Sequence, residues 1–229
     1  MSSHESFKRS FISSLLWKTF VFCALFAQLD SSIALSSQSL AEEPTYEEML
    51  TGEAFIFNLE PDKRGGKAYK LVYLVDVPIS VLWRFKTDFD TDFLLTHKFI
   101  TKHRFVGREQ NGFITETEYT NTPGALFRWR TILFPSIHRM DFFLENPQEC
   151  GQEFHYGHIQ LTAQGQQTKV TQVAYFDFLG VTLWVHYPWK GGMTEFLEYT
   201  ARWEQETVIR LQGSYLEEAS EQETVGSKD

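Results

Sequence analysis

The chain has 229 residues, of which 42% are hydrophobic and 16% aromatic, so it can bury one sizeable core. Its formal net charge of -9 argues against nucleic-acid binding, which depends on clustered Lys and Arg side chains. We therefore expect one globular domain with appendages and no nucleic-acid partner.

The first 41 residues have the pattern of a secretory signal peptide. Lys8 and Arg9 precede the apolar run TFVFCALFAQL at 19–29, and small-residue sites follow at 32–34 and 39–41. We predict cleavage near residue 34 or 41 and export to a periplasmic or extracellular location. The alternative is an uncleaved membrane anchor, although spanning a bilayer takes about 20 apolar residues.

The number of cysteines in the mature chain follows from that prediction. Removal of the signal peptide takes Cys23 with it, so only Cys150 remains and no internal disulfide can form.

Residues 42–66 form an N-terminal extension. Its acidic start predicts a short helix or coil, and the run AFIFNL predicts an edge strand at 53–59, before the turn sequence PDKRGGK.

A change of period at Pro78 marks the start of the main domain. Apolar residues alternate over 67–77, which predicts a strand, and then recur at three and four over 79–89, which predicts a helix. A second short helical turn is expected at 90–96. Six strand-like runs separated by short turn sequences follow and predict an antiparallel meander: 97–109, 112–120, 125–134, 137–145, 153–163 and 168–180.

The last element is an amphipathic helix. From Met193 to Tyr215, apolar residues recur at three or four, which predicts a helix of about 25 residues and a domain that ends at Leu216. Beyond it, the acidic segment 217–229 predicts a disordered tail.

Three stretches of the domain resemble the START-like or SRPBCC superfamily, which includes polyketide cyclases and lipid-binding proteins. VPISVLWRFKTDFD resembles the superfamily's strand-to-helix entry, and IQLTAQGQQTKVTQVAYFDF resembles its late hairpin. GGMTEFLEYTARWEQETVIRL resembles its closing helix. The resemblance covers residues 67–215.

The resemblance implies an α+β helix-grip fold. In this fold a curved antiparallel sheet of about seven strands wraps around a long C-terminal helix, and two short helices follow the first strand. An apolar cavity between sheet and helix is expected to hold a hydrophobic small molecule or lipid. The resemblance carries over no catalytic residue and implies no cofactor.

Alternation along the strands identifies candidate ligand-binding residues on the inward face. We predict that the ligand contacts eight side chains: Phe127, Trp129, Met140, Phe142, Tyr156, His158, Phe196 and Tyr199. We also predict that three rings just before the closing helix border the cavity mouth and can touch a membrane surface: Trp184, Tyr187 and Trp189. The alternative is that these three rings pack the helix end against the sheet.

Four charged residues on adjacent strands predict a cross-strand ladder. If residues 121–125 form an unpaired turn, Glu118 faces Arg128 and Glu116 faces Arg130. Because the alternate residues are aromatic, we place this ladder on the outer face. The alternative is a charged patch inside the cavity that orients a polar ligand head.

The remaining polar residues do not indicate catalysis or metal binding. The chain contains no nucleophile, zinc or phosphate-loop motif, and His155 and His158, three apart on one strand, must point to opposite faces. We therefore expect a non-enzymatic binding or carrier protein. One alternative is a cyclase- or hydrolase-type enzyme with His158 or a buried carboxylate as general base. Another is a protein-interaction module that uses the acidic extension and tail. Oligomeric state does not follow from the sequence.

Overall fold

The computed structural model describes residues 43–109, 112–178 and 192–226. The predicted signal peptide, the three predicted mouth residues Trp184, Tyr187 and Trp189, and the end of the tail lie outside these residues. The described elements begin with α1 (Tyr46–Met49), and α2 (Ile79–Thr87) and a 3-10 helix at Asp92–Thr96 follow the second strand. The long C-terminal helix is α3 (Gly192–Gly226).

Among the described residues, an antiparallel sheet of eight strands forms the body of the domain. Its spatial order is β1-β2-β8-β7-β6-β5-β4-β3, so a meander from β3 to β8 returns to pair with β2. The bounds of the strands are β1 Phe55–Leu59, β2 Lys67–Val75, β3 Ile100–Glu109, β4 Gly112–Tyr119, β5 Leu126–Phe134, β6 Arg139–Leu144, β7 Gln152–Gln164 and β8 Gln167–Phe178. The sheet has one strand more than the seven predicted because the edge strand of the N-terminal extension joins it.

The N-terminal extension is ordered by local capping and by packing. Thr45 and Glu48 form a capping box, in which each side chain accepts a hydrogen bond from the other residue's backbone N–H. Helix α1 then places Met49 against Val72 and Leu74 on one side of the sheet. We call this side the outer face.

The opposite side, which we call the inner face, carries the main core. Side chains from β2 and β8 pack there against α2 and α3, and most of them are at most 5% exposed. Tyr73 and Val170 of the sheet, Leu82 of α2 and Leu197 of α3 belong to this core. The change of period at Pro78 has the predicted effect, because the chain leaves β2 and α2 folds back over the inner face.

Helix α3 is longer than its apolar pattern predicted. It continues past Leu216 to Gly226, so this part of the segment predicted as a tail is helical. The sequence EEASEQETV contains no proline, and Glu, Gln and Ala have high helix propensity. The helix therefore propagates past its predicted end at Leu216.

Candidate functional site

Four of the predicted ligand-binding residues lie on the inner face. Opposed residues of an antiparallel pair share a face, and pairing runs from Tyr69 through Ala174, Gly157 and Phe142 to Thr131. Because side chains alternate, this line also assigns the inner face to Phe127, Trp129 and Met140. The prediction of inward direction is confirmed for these strands.

Tyr156 and His158 lie on the outer face, so their predicted inward direction is wrong. His158 pairs with Asp141 and Val173, and Tyr156 pairs with Phe143 and Tyr175. The Tyr156 hydroxyl donates a hydrogen bond to Asp62, and the Arg64 guanidinium lies 4.9 Å from the centre of its ring. Rings occupy the outer face here because the turn between β1 and β2 covers them.

A glycine weakens the apolar pattern of the inward-facing positions of β7. An added Cβ at Gly157 would lie 2.7 Å from Phe142 Cζ and 2.9 Å from Ala174 Cα, so no larger side chain fits. The inward-facing residues of β7 are His155, Gly157, Ile159 and Leu161. The first of these positions carry fewer aromatic residues than the outward-facing positions beside them. The aliphatic side chains of Ile159 and Leu161, two residues apart, were the sequence signal that could have identified these inward-facing positions.

Phe196 and Tyr199 lie on α3 beside a group of aromatic rings at the start of β3. The Phe196 ring centre is 5.6 Å from that of Phe99, and the Tyr199 ring centre is 5.3 Å from it. Lys98 Nζ lies 4.1 Å from the centre of the Tyr199 ring. These two predicted residues therefore line the edge of the helix nearest β3, and their contact with a ligand remains a prediction.

An inner aromatic cluster consists of Trp129, Phe142, His155 and Phe176. The ring centre of His155 lies 4.9 Å from that of Trp129, 6.1 Å from that of Phe142 and 5.5 Å from that of Phe176. Trp129, Phe142 and His155 are only partly buried, in contrast to Ala174 on the neighbouring strand, which is fully buried. This cluster forms an apolar wall around one imidazole.

His155 is a neutral imidazole with one ring nitrogen committed to a hydrogen bond. Its Nδ1 lies 3.1 Å from Oε1 of Gln152, whose side chain is fully buried. Burial lowers the pKa of His155 to about 3 because the charged form would lose its hydration. Sequence reasoning missed both residues, since it assigned β7 the opposite frame.

The indole N–H of Trp129 is a second polar group in this wall. Its Nε1 is buried and forms no hydrogen bond of acceptable geometry within the described part of the chain. The indole interacts weakly with the Tyr119 hydroxyl, and this interaction lowers the pKa of Tyr119. Burial has the larger, opposite effect and raises that pKa to about 12. The wall therefore combines apolar rings with a few buried polar atoms.

A second neutral imidazole, His97, was also missed. It is 3% exposed, and its Nε2 lies 3.1 Å from Thr200 Oγ1 on α3. Burial and, to a smaller extent, the nearby Lys98 charge lower the pKa of His97 to about 4. Its ring packs against Phe99, Phe196, Tyr199 and Trp203, so it joins the start of β3 to the helix.

A buried carboxylate occurs on α3, but both its oxygens are engaged. Oε1 of Glu204 accepts a hydrogen bond of 2.8 Å from the Tyr73 hydroxyl, and Oε2 forms an ion pair with Lys86. The ion pair links α3 to α2 and the hydrogen bond links α3 to β2. This arrangement gives the carboxylate a structural role in joining three elements.

The predicted charged ladder lies on the outer face, as expected, but its register is wrong by two residues. Glu116 pairs with Arg128 and Glu118 with Leu126, whereas Arg130 faces Ile114. Two successive tight turns, closed by Thr122 N to Tyr119 O and Ala125 N to Thr122 O, use more residues than the five allowed for. The Glu118 carboxylate accepts a hydrogen bond from Gly124 N within this turn.

The resulting network is more extensive than a ladder of two pairs. Arg104 and Arg128 both bind Glu116, while Glu109 and Glu145 each bind Arg128 and Arg130. Lys102 binds Glu118. Opposite charges on the outer face therefore compensate one another, and the alternative of a charged patch inside the cavity is wrong.

Two surface grooves lie away from the inner aromatic cluster. One, of about 600 Å³, is bordered by Lys102, Arg104 and Leu126, and the other, of about 410 Å³, by Glu53 and Arg202. Among residues 43–109, 112–178 and 192–226, no group of His, Cys, Asp or Glu side chains is arranged to hold a metal ion. No helix in that part of the chain is both long and apolar enough to cross a membrane.

Comparison with known proteins gives only distant structural similarities. No family model and no curated protein matches the chain. A START superfamily protein from Mycobacterium smegmatis is 13% identical, with 63% of this chain and 98% of that chain covered and a TM-score of 0.48. A norcoclaurine synthase from Thalictrum flavum is 11% identical, with 69% and 95% covered and a TM-score of 0.47. An aromatase/cyclase from a Streptomyces species is 13% identical, with 70% and 88% covered and a TM-score of 0.40.

The fold assignment rests on the topology itself. Strand β2 precedes α2 and the 3-10 helix, and the six-stranded meander from β3 to β8 returns to pair with β2. The long C-terminal helix packs on the inner face. This order is the one expected from the three sequence stretches that resemble the superfamily. The chain therefore has the helix-grip fold of START-like, or SRPBCC, proteins.

Proposed function

We propose that this protein binds a hydrophobic small molecule between the inner face of the sheet and α3. The observation that carries the proposal is the uneven coverage of that face. Side chains of β2 and β8 are sealed by the helices, as shown by Leu71 at 1% and Val170 at 0% exposure. By contrast, Trp129, Phe142 and Ile159 face the same way and are only partly buried.

The position of the helix accounts for this difference. Among the described elements, the backbone of α3 approaches α2 and β2 closely and stays farther from β5 and β6. Small-molecule sites are lined predominantly by apolar and aromatic side chains. Trp129, Phe142 and Ile159 supply such a lining. Catalysis is not part of the proposal, because His158 lies on the outer face and both oxygens of Glu204 already have protein partners.

Binding can be tested by native mass spectrometry of the protein purified without denaturant, followed by extraction and identification of any bound molecule. We expect a stoichiometric apolar ligand. The variant Ile159→Phe narrows the space over β7 and should lower ligand occupancy. Its matched control, Val173→Phe, adds the same ring on the outer face and should leave occupancy unchanged. An empty wild-type protein that also takes up no molecule from mixed lipid extracts would refute the proposal.

We also propose that the protein is exported and carries its ligand outside the cytoplasm. The basic residues Lys8 and Arg9, the apolar run at 19–29 and the small residues near 34 and 41 support export. We further propose that Trp184, Tyr187 and Trp189 border the mouth of the site. Amino-terminal sequencing of the protein from fractionated cells tests export: a start near residue 35 or 42 supports it, and an intact Met1 in the cytoplasmic fraction contradicts it.

A further inference from the structure

The imidazole of His155 adds a polar group to a wall that is otherwise apolar except for the Trp129 indole N–H. Its ring packs edge to face against Trp129 at 4.9 Å between ring centres, and it is flanked by Phe142 and Phe176. These neighbours offer no hydrogen-bond acceptor for a ring N–H at the inner face. The chemistry of the site therefore depends on which nitrogen of His155 carries the proton.

The contact with Gln152 decides the tautomer. The atom that faces His155 Nδ1 at 3.1 Å is the amide oxygen of Gln152, and a carbonyl oxygen can only accept a hydrogen bond. Nδ1 therefore carries the proton and donates it to Gln152. Because burial keeps the ring neutral, Nε2 has a free lone pair and acts only as an acceptor.

Nε2 has no hydrogen-bond partner among the described residues, whereas Nδ1 has one. A bulge between Gln152 and Phe154 supports this arrangement, because it brings the Gln152 side chain to the same face as His155. The orientation of the ring is thus set by a buried partner on its own strand. The remaining nitrogen, Nε2, belongs to a half-buried side chain on the inner face.

Given the proposed function, we infer that the apolar ligand carries a hydroxyl or N–H donor that binds His155 Nε2. A ligand without a donor leaves this nitrogen desolvated and unpaired, which costs affinity. A carboxylate is disfavoured because its lone pairs would meet the lone pair of Nε2. The site therefore selects neutral alcohols, phenols or similar donors over apolar acids.

Three small probes with the same ring system distinguish these cases: naphthol, its methyl ether and naphthoic acid. Equilibrium binding to the purified full protein can be followed by probe fluorescence. We expect wild-type protein to bind naphthol about 5- to 10-fold more tightly than the methyl ether, the usual effect of one hydrogen bond, and naphthoate most weakly. In His155→Phe the preference for naphthol over the ether should fall to about 1-fold, while affinity for the ether is retained.

The matched control is His158→Phe, which makes the same substitution three residues away on the opposite face. It should preserve the preference for naphthol. Equal affinity of wild-type protein for naphthol and the ether, or equal effects of the two variants, would overturn the inference and leave the proposed function standing. Failure of every naphthalene probe to bind would count instead against the proposed function.

A measurement on wild-type protein avoids dependence on the folding of the variants. Nitrogen NMR of the histidine rings reports whether an unprotonated nitrogen accepts a hydrogen bond. Addition of naphthol should shift the His155 Nε2 resonance to lower frequency, whereas the methyl ether should not. A resonance that responds equally to both probes contradicts the inference.

Discussion

The Tyr73 hydroxyl donates a hydrogen bond of 2.8 Å to Glu204 Oε1, across the contact between β2 and α3. The other carboxylate oxygen forms an ion pair with Lys86 of α2, so one side chain of α3 holds two other elements. The Lys86 and Glu204 side chains are 12% and 4% exposed. Removal of one partner would leave a buried charge without compensation.

We predict that Glu204→Leu lowers the free energy of unfolding by about 3 kcal/mol, because Lys86 and Tyr73 lose their shared partner. The double variant Lys86→Met with Glu204→Leu should recover part of this loss, since no unpaired charge remains. Urea unfolding followed by circular dichroism measures both values. Glu206→Gln, on an exposed position of the same helix, serves as the control and should change stability by less than about 0.5 kcal/mol. Full stability of the Glu204→Leu variant would contradict the prediction.

Two glycines should respond to alanine substitution with opposite signs. Gly157→Ala forces a Cβ against Phe142 and the β8 backbone, so we expect a loss of about 1 to 3 kcal/mol. Gly213→Ala places a Cβ in open space on α3, and we expect a gain of about 0.5 to 1 kcal/mol from helix propensity. Denaturant unfolding of both variants tests the pair. A neutral Gly157→Ala variant would show that β8 can move away.

Glu116 should make stability depend on pH. Burial alone would raise the pKa of this carboxyl, but hydrogen bonds from Arg104 and Arg128 outweigh burial and lower it below the ordinary value of 4.5. A lowered pKa in the folded state means that the contribution is present above the unfolded-state pKa and is lost as pH falls through the folded-state pKa. We therefore expect Glu116→Gln to be destabilised relative to wild type at neutral pH.

The difference in unfolding free energy between wild type and Glu116→Gln should shrink as pH falls below about 4.5. Urea unfolding at a series of pH values from neutral to acidic measures it. Glu153→Gln provides the control, because Glu153 is exposed on the same sheet and has no ion pair in the described part of the chain. A difference that stays constant from neutral to acidic pH would show that the Glu116 charge does not contribute.

The thiol of Cys150 should be unreactive in the folded protein. It is 7% exposed, and burial, with a smaller effect from the Glu149 charge, raises its pKa to about 11. Because the thiolate is the reactive form, alkylation at mildly basic pH should be slow in native conditions and fast in denaturant. Mass spectrometry after timed exposure to iodoacetamide reads out the modification at Cys150. Rapid native alkylation would indicate local opening around the helical turn Gln148–Cys150.

The prediction of β7 failed where local pattern and tertiary contact disagree. We predicted that Phe154 and Tyr156 face inward, because aromatic residues favour buried faces. Instead, Asp62 and Arg64, from a turn far away in the sequence, cover the two rings on the outer face. Gly157 reduced the apolar signal of the true inner frame, although Phe142 requires its small size. Neither contact can be read from spacing within one strand.

The same reason explains the ladder and the missed imidazoles. Alternation with aromatic residues placed Glu116 and Arg128 on the outer face, but the two turns between Tyr119 and Ala125 determined which of the charged residues oppose each other. The pKa values of His97 and His155 are lowered only because helix α3 and the wall around Trp129 removed water from the two rings.

Local sequence pattern by itself determined the order of the elements. The period of two before Pro78, the period of three to four after it and from Met193 onward, and the short polar turns were sufficient, because each reflects one strand or helix facing one core. Tertiary structure alone decided the faces of β7, the register of β4 against β5, and the pairing of Glu204 with Tyr73 and Lys86. These features depend on contacts between residues far apart in the chain, and the free energy of such contacts outweighs local preference.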